Sequence, residues 1–136
     1  MIVVDADVIA YFWLEAGAKR TTAARRARRK DGDWIAPHLW RSEFRSVLRG
    51  YLNAGLLTLG TALKVAEKAE KDMRGHEYDV VTTDVLRLVQ RSRHSAYDCE
   101  YVALAQSLRV PLVTGDQELP ALFPDSAVLL EDFIAR

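Results

Sequence analysis

Four acidic residues stand where a carboxylate is costly unless something positive meets it: Asp5, Glu43, Asp98 and Asp116. Asp5 follows Ile2-Val3-Val4. Glu43 interrupts a segment carrying Leu39, Trp40, Phe44 and Val47. Asp98 opens onto Tyr101-Val102-Ala103-Leu104-Ala105, and Asp116 follows Pro111-Leu112-Val113-Thr114-Gly115. A buried carboxylate without a partner protonates, pairs or binds a cation. No lysine or arginine lies within two residues of Asp5, Asp98 or Asp116, so a shared divalent cation is the simplest partner. Each acid also has an ordinary structural use. Asp98 would complement a helix dipole, Asp116 would cap a helix starting at Gln117-Glu118, and Glu43 would be a boundary residue beside the apolar stripe of its helix. Asp5 is the hardest to explain that way, because aspartate is disfavoured in strands.

Other chemistry is thinly represented. Asp7 lies near the same pole as Asp5, or else caps the first helix. Glu100 is about 200° round a helix from Asp98 and reads as solvent-facing. His38, His76 and His94 share no metal-ligand spacing and Cys99 has no second cysteine, so zinc is not expected. There is no Gly-rich phosphate loop and no Gly-x-Ser-x-Gly elbow. Trp13, Trp34 and Trp40 read as core or interface.

The elements that must carry the acids follow from hydrophobic period and stop signals. Ile2 to Asp5 reads as a short buried strand, followed by a helix through Phe12-Trp13-Leu14 that ends near Gly17. Thr22 to Lys30 is helical and basic, stopped by Asp31-Gly32. Trp34-Ile35-Ala36 is a second strand, closed by Pro37. A helix from Leu39 to Asn53 ends at Gly55, and another starts at Thr58 or Thr61, with Glu67–Lys71 and Glu70–Arg74 as i,i+4 pairs. Tyr78 to Val81 is a third strand, and Thr83-Asp84 caps a helix to Arg91. Ser95 caps the helix Ala96 to Leu108. Leu112-Val113-Thr114 and Ala127-Val128-Leu129-Leu130 are the last two strands. Strands alternating with helices predict an α/β layer on a mostly parallel sheet of 4–5 short strands. In such sheets ligands collect at the carboxyl ends of strands, where Asp5 and Asp116 both fall. Asp98 shares an inward helix face with Tyr101, Val102 and Ala105, and Glu43 shares one with Leu39, Trp40 and Val47. Arg41, Arg45 and Arg49 take the opposite side of the Glu43 helix.

At 136 residues, with 49% hydrophobic and 28% charged side chains, the chain has the size and make-up of one globular domain, residues 1–136. The lone cysteine excludes an internal disulfide framework and suits a reducing cytoplasm. No apolar run approaches the roughly 20 residues of a membrane span, and the N-terminus carries no basic leader of a secretory signal. Net charge is zero but unevenly spread: the segment from Lys19 to Lys30 holds seven basic residues (Lys19, Arg20, Arg25, Arg26, Arg28, Arg29, Lys30) and no acid. A basic face set against a carboxylate cluster suits a protein that grips a polyanion and delivers it to a metal; a solvated helix face is the plainer reading.

These motifs in this order resemble the PIN-domain nucleases, and among them the VapC toxins of toxin–antitoxin pairs. The likeness is carried by the opening Val-Val-Asp-Ala-Asp-Val-Ile, Ser42-Glu43-Phe44, the run Ala96-Tyr97-Asp98-Cys99-Glu100-Tyr101-Val102-Ala103-Leu104-Ala105, and Leu112-Val113-Thr114-Gly115-Asp116. The resemblance implies a three-layer α/β/α fold and an acidic quartet at Asp5, Glu43, Asp98 and Asp116, with Thr114 as the hydroxyl near the last acid. Asp7 departs from it, standing where the family often has Ser or Asn. It further implies an endoribonuclease dependent on Mg²⁺ or Mn²⁺, commonly a homodimer, held inactive by a cognate VapB-like antitoxin. On that reading Asp5 and Asp98 bind one or two metal ions directly, and Glu43 and Asp116 do so directly or through water. The cation acidifies a water aligned with the phosphodiester, and Thr114 orients a water or a carboxylate. Basic side chains between residues 19 and 30 bind the RNA backbone, and Phe12-Trp13-Leu14 and Leu56-Leu57-x-Leu59 offer apolar surface for a second copy or an antitoxin helix, ordinary core being the plainer reading of any single one of these residues.

Two other readings compete. Asp5-Ala6-Asp7-Val8 fits the Asp-x-Asp opening of a haloacid-dehalogenase-type phosphohydrolase, in which Asp5 attacks phosphorus and Asp7 moves a proton. That chemistry also needs a late acidic pair, and position 120 is Pro120. The third possibility is a PIN-like RNA- or antitoxin-binding module with little catalysis.

Overall fold

The computed structural model describes residues 1–15 and 17–136. Five short strands run through it: β1 (Ile2–Val4), β2 (Trp34–Pro37), β3 (Glu77–Tyr78), β4 (Leu112–Thr114) and β5 (Ala127–Leu129). Every pairing is parallel, and the order across the sheet is β3-β2-β1-β4-β5. β1 is the central strand, and its three residues are all buried. That is why it reads as an unbroken β-branched run rather than an alternation.

Among the described residues eight helices flank the sheet: α1 (Ala6–Trp13), α2 (Ala18–Lys30), α3 (Trp40–Asn53), α4 (Leu59–Met73), α5 (Thr82–Ser92), α6 (Ala96–Leu108), α7 (Glu118–Leu122) and α8 (Leu130–Ala135). The chain steps from β1 outward to β3 through α1–α4, then returns across β2 and β1 to β4 through α5 and α6. With right-handed crossovers these two journeys fall on opposite faces, giving three layers, α/β/α. α6 packs on β1, β2 and β4, with α5 against it, while α8 comes back beside α2. The direction of crossing reverses between β1 and β4, so the crevice at their carboxyl ends is the topological switch point.

Several expectations from sequence need correction. The first strand stops at Val4, and Asp5 is the N-cap of α1, its Oδ1 accepting the Ala6 N–H at 2.8 Å. α1 ends at Trp13, short of Gly17, with Leu14 as its C-cap; the intervening Ala16 lies outside the described residues. α2 begins at Ala18, four residues ahead of Thr22. β3 holds only Glu77 and Tyr78, and Val81 is instead the N-cap of α5, so Thr83-Asp84 lies inside the helix rather than capping it. Leu130 opens α8 instead of ending β5. Glu70 does not pair with Arg74. It binds Arg41 at 2.7 Å, and Arg41 also grips Glu77 at 2.6 Å through Nε. That network fastens the short edge strand to α3 and α4, a tertiary role that local i,i+4 spacing does not reveal. The Ser95 cap of α6, with Tyr97 N–H donating to its hydroxyl, and strand β4 stand as expected; of the two starts left open for α4, Thr58 is the N-cap and accepts the Thr61 N–H.

Candidate active site at the switch point

Asp5, Glu43, Asp98 and Asp116 come from four separated stretches of chain and line one cleft of about 400 Å³, together with Ala6, Asp7, Ser46 and Val47. No lysine, arginine or histidine is among those lining residues. A larger groove, about 620 Å³, lies at the other end of β4 and β5, where Asp125 is the one acid among its lining residues.

Each acid is placed by its element. Asp5 sits at the turn from β1 into α1. Only 7% exposed, it spends Oδ1 on the Ala6 N–H and receives the Thr114 hydroxyl on Oδ2 at 2.7 Å. Thr114, fully buried at the end of β4, also accepts the Asp116 N–H at 3.0 Å. One hydroxyl thus ties the two strand ends together. Gln117, not Asp116, is the N-cap of α7; Asp116 stands one residue ahead of it and its Oδ1 accepts the Glu118 N–H at 2.9 Å. That bond is compatible with lining the cleft, since the carboxylate has a second oxygen. Glu43, in the first turn of α3, accepts the Tyr101 hydroxyl at 2.6 Å. Tyr101 is fully buried two residues past Cys99 on α6, so the Asp98 helix also positions the Glu43 carboxylate. Val102 and Ala105 are buried on that helix, as its apolar spacing predicts.

Asp7, a half-expected member, belongs to the site. Its carboxylate receives the Gly115 N–H at 3.1 Å on Oδ2 and 3.3 Å on Oδ1. Room at Gly115 is short: an added Cβ would lie 2.8 Å from Asp7 Oδ2 and 2.9 Å from Tyr11 Oη, so those side chains would have to shift. Tyr11 in turn carries the Arg20 guanidinium over its ring at 5.3 Å.

The electrostatics are those of crowded like charges. Burial, reinforced by the Asp7 carboxylate, holds the Asp5 carboxyl well above the usual range; the Thr114 hydroxyl pulls the other way, and Glu43 and Asp98 add to the rise. Burial pushes Asp7 up to about 6 against the opposing Gly115 and Val8 N–H groups, with Asp116 and Asp98 raising it further. Glu43 is raised by burial and lowered by the Tyr101 hydroxyl, and both Asp98 and Glu100 push it up. Glu100 is therefore only partly turned to solvent, and it stands near enough to Glu43 to be felt.

This donor set is made of hard oxygens with an excess of negative charge, which suits Mg²⁺ or Mn²⁺ rather than a thiolate or imidazole metal. Two residues were missed by sequence reasoning. His94 Nε2 lies 2.7 Å from Asp98 Oδ2, and its Nδ1 lies 3.9 Å from Glu118 Oε2. Among the described residues, His94, Asp116 and Glu118 are the group whose potential ligand atoms all fall within 4.8 Å of one another. The only sequence signal was the i,i+4 spacing of His94 and Asp98, which is visible once a helix is drawn through Asp98.

The basic segment divides. Arg28 is committed to the fold: its two terminal nitrogens bind Asp72 at 3.0 and 2.9 Å, and its guanidinium stacks 4.9 Å over Trp34. Lys30 donates to the carbonyls of Phe133 and Arg136 at the end of α8. Lys19, Arg20, Arg25, Arg26 and Arg29 remain exposed on α2. Trp34 and Trp40 are core side chains, as is Leu14, while Leu56 and Leu59 are exposed.

A parallel sheet with acids gathered at its switch point defines a three-layer α/β protein with a candidate cation site. The chain belongs to the PIN domain family, whose model matches residues 2–122. PIN domains are typically metal-dependent nucleases, which sets aside the haloacid-dehalogenase reading. The crystal structure of PAE2754 from Pyrobaculum aerophilum is similar in fold, with a TM-score of 0.77 at 20% identity over 99% of this chain and 94% of that one. A search of the curated proteins finds no match. No helix among the described residues is long and apolar enough to cross a membrane.

Proposed function

We propose that this PIN domain is a metal-dependent endoribonuclease and the toxin of a toxin–antitoxin pair, acting on RNA in the cytoplasm as one folded unit of residues 1–136. The observation that carries the reading is the convergence of Asp5, Glu43, Asp98 and Asp116 on one cleft that no cationic side chain lines. Asp5 and Asp98 hold Mg²⁺ or Mn²⁺, with Glu43 and Asp116 completing the set. A divalent cation supplies Lewis acidity there, acidifying water and offsetting negative charge that builds on a phosphodiester. The protein's own contribution is arrangement: Thr114 fixes Asp5 against β4, Tyr101 fixes Glu43, and the Gly115 N–H fixes Asp7. The exposed bases of α2 grip the RNA backbone, supplying affinity and salt dependence rather than sequence choice. Leu56, Leu59 and Leu63, each at least 60% exposed around the start of α4, give a VapB-like antitoxin or a second copy an apolar surface to cover.

The test is cleavage of total cellular RNA by the purified protein with Mg²⁺, with Mn²⁺ and with EDTA, beside Asp98→Asn. Discrete fragments that need the metal and vanish in the variant are expected. Intact RNA in every lane, from folded protein free of antitoxin, would refute the nuclease and leave a binding module.

A further inference from the structure

The acid that α6 brings to the cleft is held from outside by a histidine, on a turn built to hold it. α5 ends at Ser92, and Arg93 follows in the left-handed region, φ 58°. The Ser92 hydroxyl donates to the Leu88 carbonyl at 2.7 Å and accepts the His94 N–H at 3.1 Å. Ser95 then starts α6 as its cap. Between these two anchored ends His94 has little freedom, and its side chain is only 16% exposed. Its Nε2 meets Asp98 Oδ2 at 2.7 Å, while Nδ1 stands 3.9 Å from Glu118 Oε2, beyond hydrogen-bond range. A carboxylate oxygen accepts, so Nε2 is the donor in the 2.7 Å contact with Asp98. Asp98 Oδ1 has no hydrogen-bond partner among the described residues, and Asp98 lines the cleft.

We infer that His94 is a positioning residue for Asp98: it holds one carboxylate oxygen so that the other is presented, already oriented, to a divalent cation in the cleft. The inference rests on the metal-nuclease reading of the site. An outer hydrogen bond of this kind fixes the carboxylate's rotamer before the cation arrives, and loss of such a partner typically costs about 10–100-fold in metal affinity or activity. In this arrangement Nε2 is committed to Asp98, so the imidazole acts on the cation through that carboxylate.

The experiment is Mn²⁺ titration by calorimetry on wild type, His94→Leu and His94→Gln, with RNA cleavage and metal-free melting measured on the same samples. Glutamine can set an amide N–H near the place of Nε2; leucine keeps bulk without a donor. Expected are a loss of about tenfold or more in Mn²⁺ affinity for His94→Leu, its recovery in His94→Gln, and a fall in kcat with KM for RNA unchanged. If His94→Leu does not fold, His94→Asn takes its place, since its amide cannot reach as far and should bind Mn²⁺ more weakly than His94→Gln. Equal Mn²⁺ affinity in wild type and His94→Leu would overturn the positioning role even if wild type cleaves RNA. Glutamine no better than leucine would overturn it too, assigning the imidazole to the metal. Wild type that cleaves no RNA, with the affinity loss still present in His94→Leu, would sink the nuclease reading and leave the positioning role standing.

Discussion

Replacing Asp7 by asparagine should stabilise the metal-free protein, and only away from acid pH. Asp7 is raised from the ordinary aspartate value of 3.8 to about 6, with burial as the main cause. A carboxyl raised on folding favours the native state while it is protonated. Its contribution is fully present below about pH 4 and is lost as pH climbs through about 6. That rise converts to about 3 kcal/mol of stability given up between those limits, on the scale of 1.36 kcal/mol per unit. Asparagine keeps a carbonyl to accept the Gly115 N–H but carries no charge, so it escapes the loss. For a chain of this length, about 3 kcal/mol corresponds to roughly 10 °C in Tm. Thermal melts of wild type and Asp7→Asn in EDTA, from pH 4 to 8, read the difference directly, and using the difference cancels carboxylates common to both. The two should melt together near pH 4 and separate by up to about 10 °C at pH 7.5, the variant higher. Added Mn²⁺ should narrow the gap by binding the native wild type. A gap that is the same at both ends of the range, or a wild type more stable at pH 7.5, would refute the reasoning.

Gly115→Ala would press a methyl group into Asp7 Oδ2 and Tyr11 Oη; overpacking of this kind costs about 1–3 kcal/mol, and the displaced carboxylate should lower kcat by up to about 100-fold. Cleavage kinetics at the wild-type rate would show that Asp7 placement is irrelevant. Arg28→Ala should lower stability by about 1–3 kcal/mol, because it removes a bidentate pair with Asp72 and the stacking on Trp34. Joint substitution of Arg25, Arg26 and Arg29 by alanine should instead leave Tm nearly unchanged and flatten the salt dependence of RNA binding, by about 0.7 in the log–log slope for each phosphate no longer neutralised. Reversed outcomes for the two sets would mean that the division of the basic helix is wrong.

The sequence by itself determined the alternation of strands and helices and the parallel sheet, and it singled out the acids that the fold then brings to one cleft. The physical reason is local: a run such as Ile2-Val3-Val4, buried on both faces, has one reading, and a carboxylate at the end of such a run stands out against it. Legible from local signals too were the helix cap at Ser95 and strand β4 with Thr114. Edge elements were less so. β3 is a two-residue edge strand that pairs with β2 alone, and the Trp40 and Arg41 side chains that fasten its Glu77 to α3 lie outside any window of sequence around Tyr78. Only the tertiary structure decided which partners the polar groups found. Arg28 and Lys30 look like any exposed bases of α2 until Asp72 and the end of α8 arrive from 44 and over 100 residues away. Gly115 is explained by Asp7, 108 residues earlier, and Tyr101 by Glu43, 58 residues earlier. Hydrogen bonds and like-charge repulsion act over a few ångströms of space rather than along the chain. The kind of chemistry was therefore written in residue type, while the orientation of each carboxylate was settled by which hydroxyl, amide or imidazole the fold set beside it.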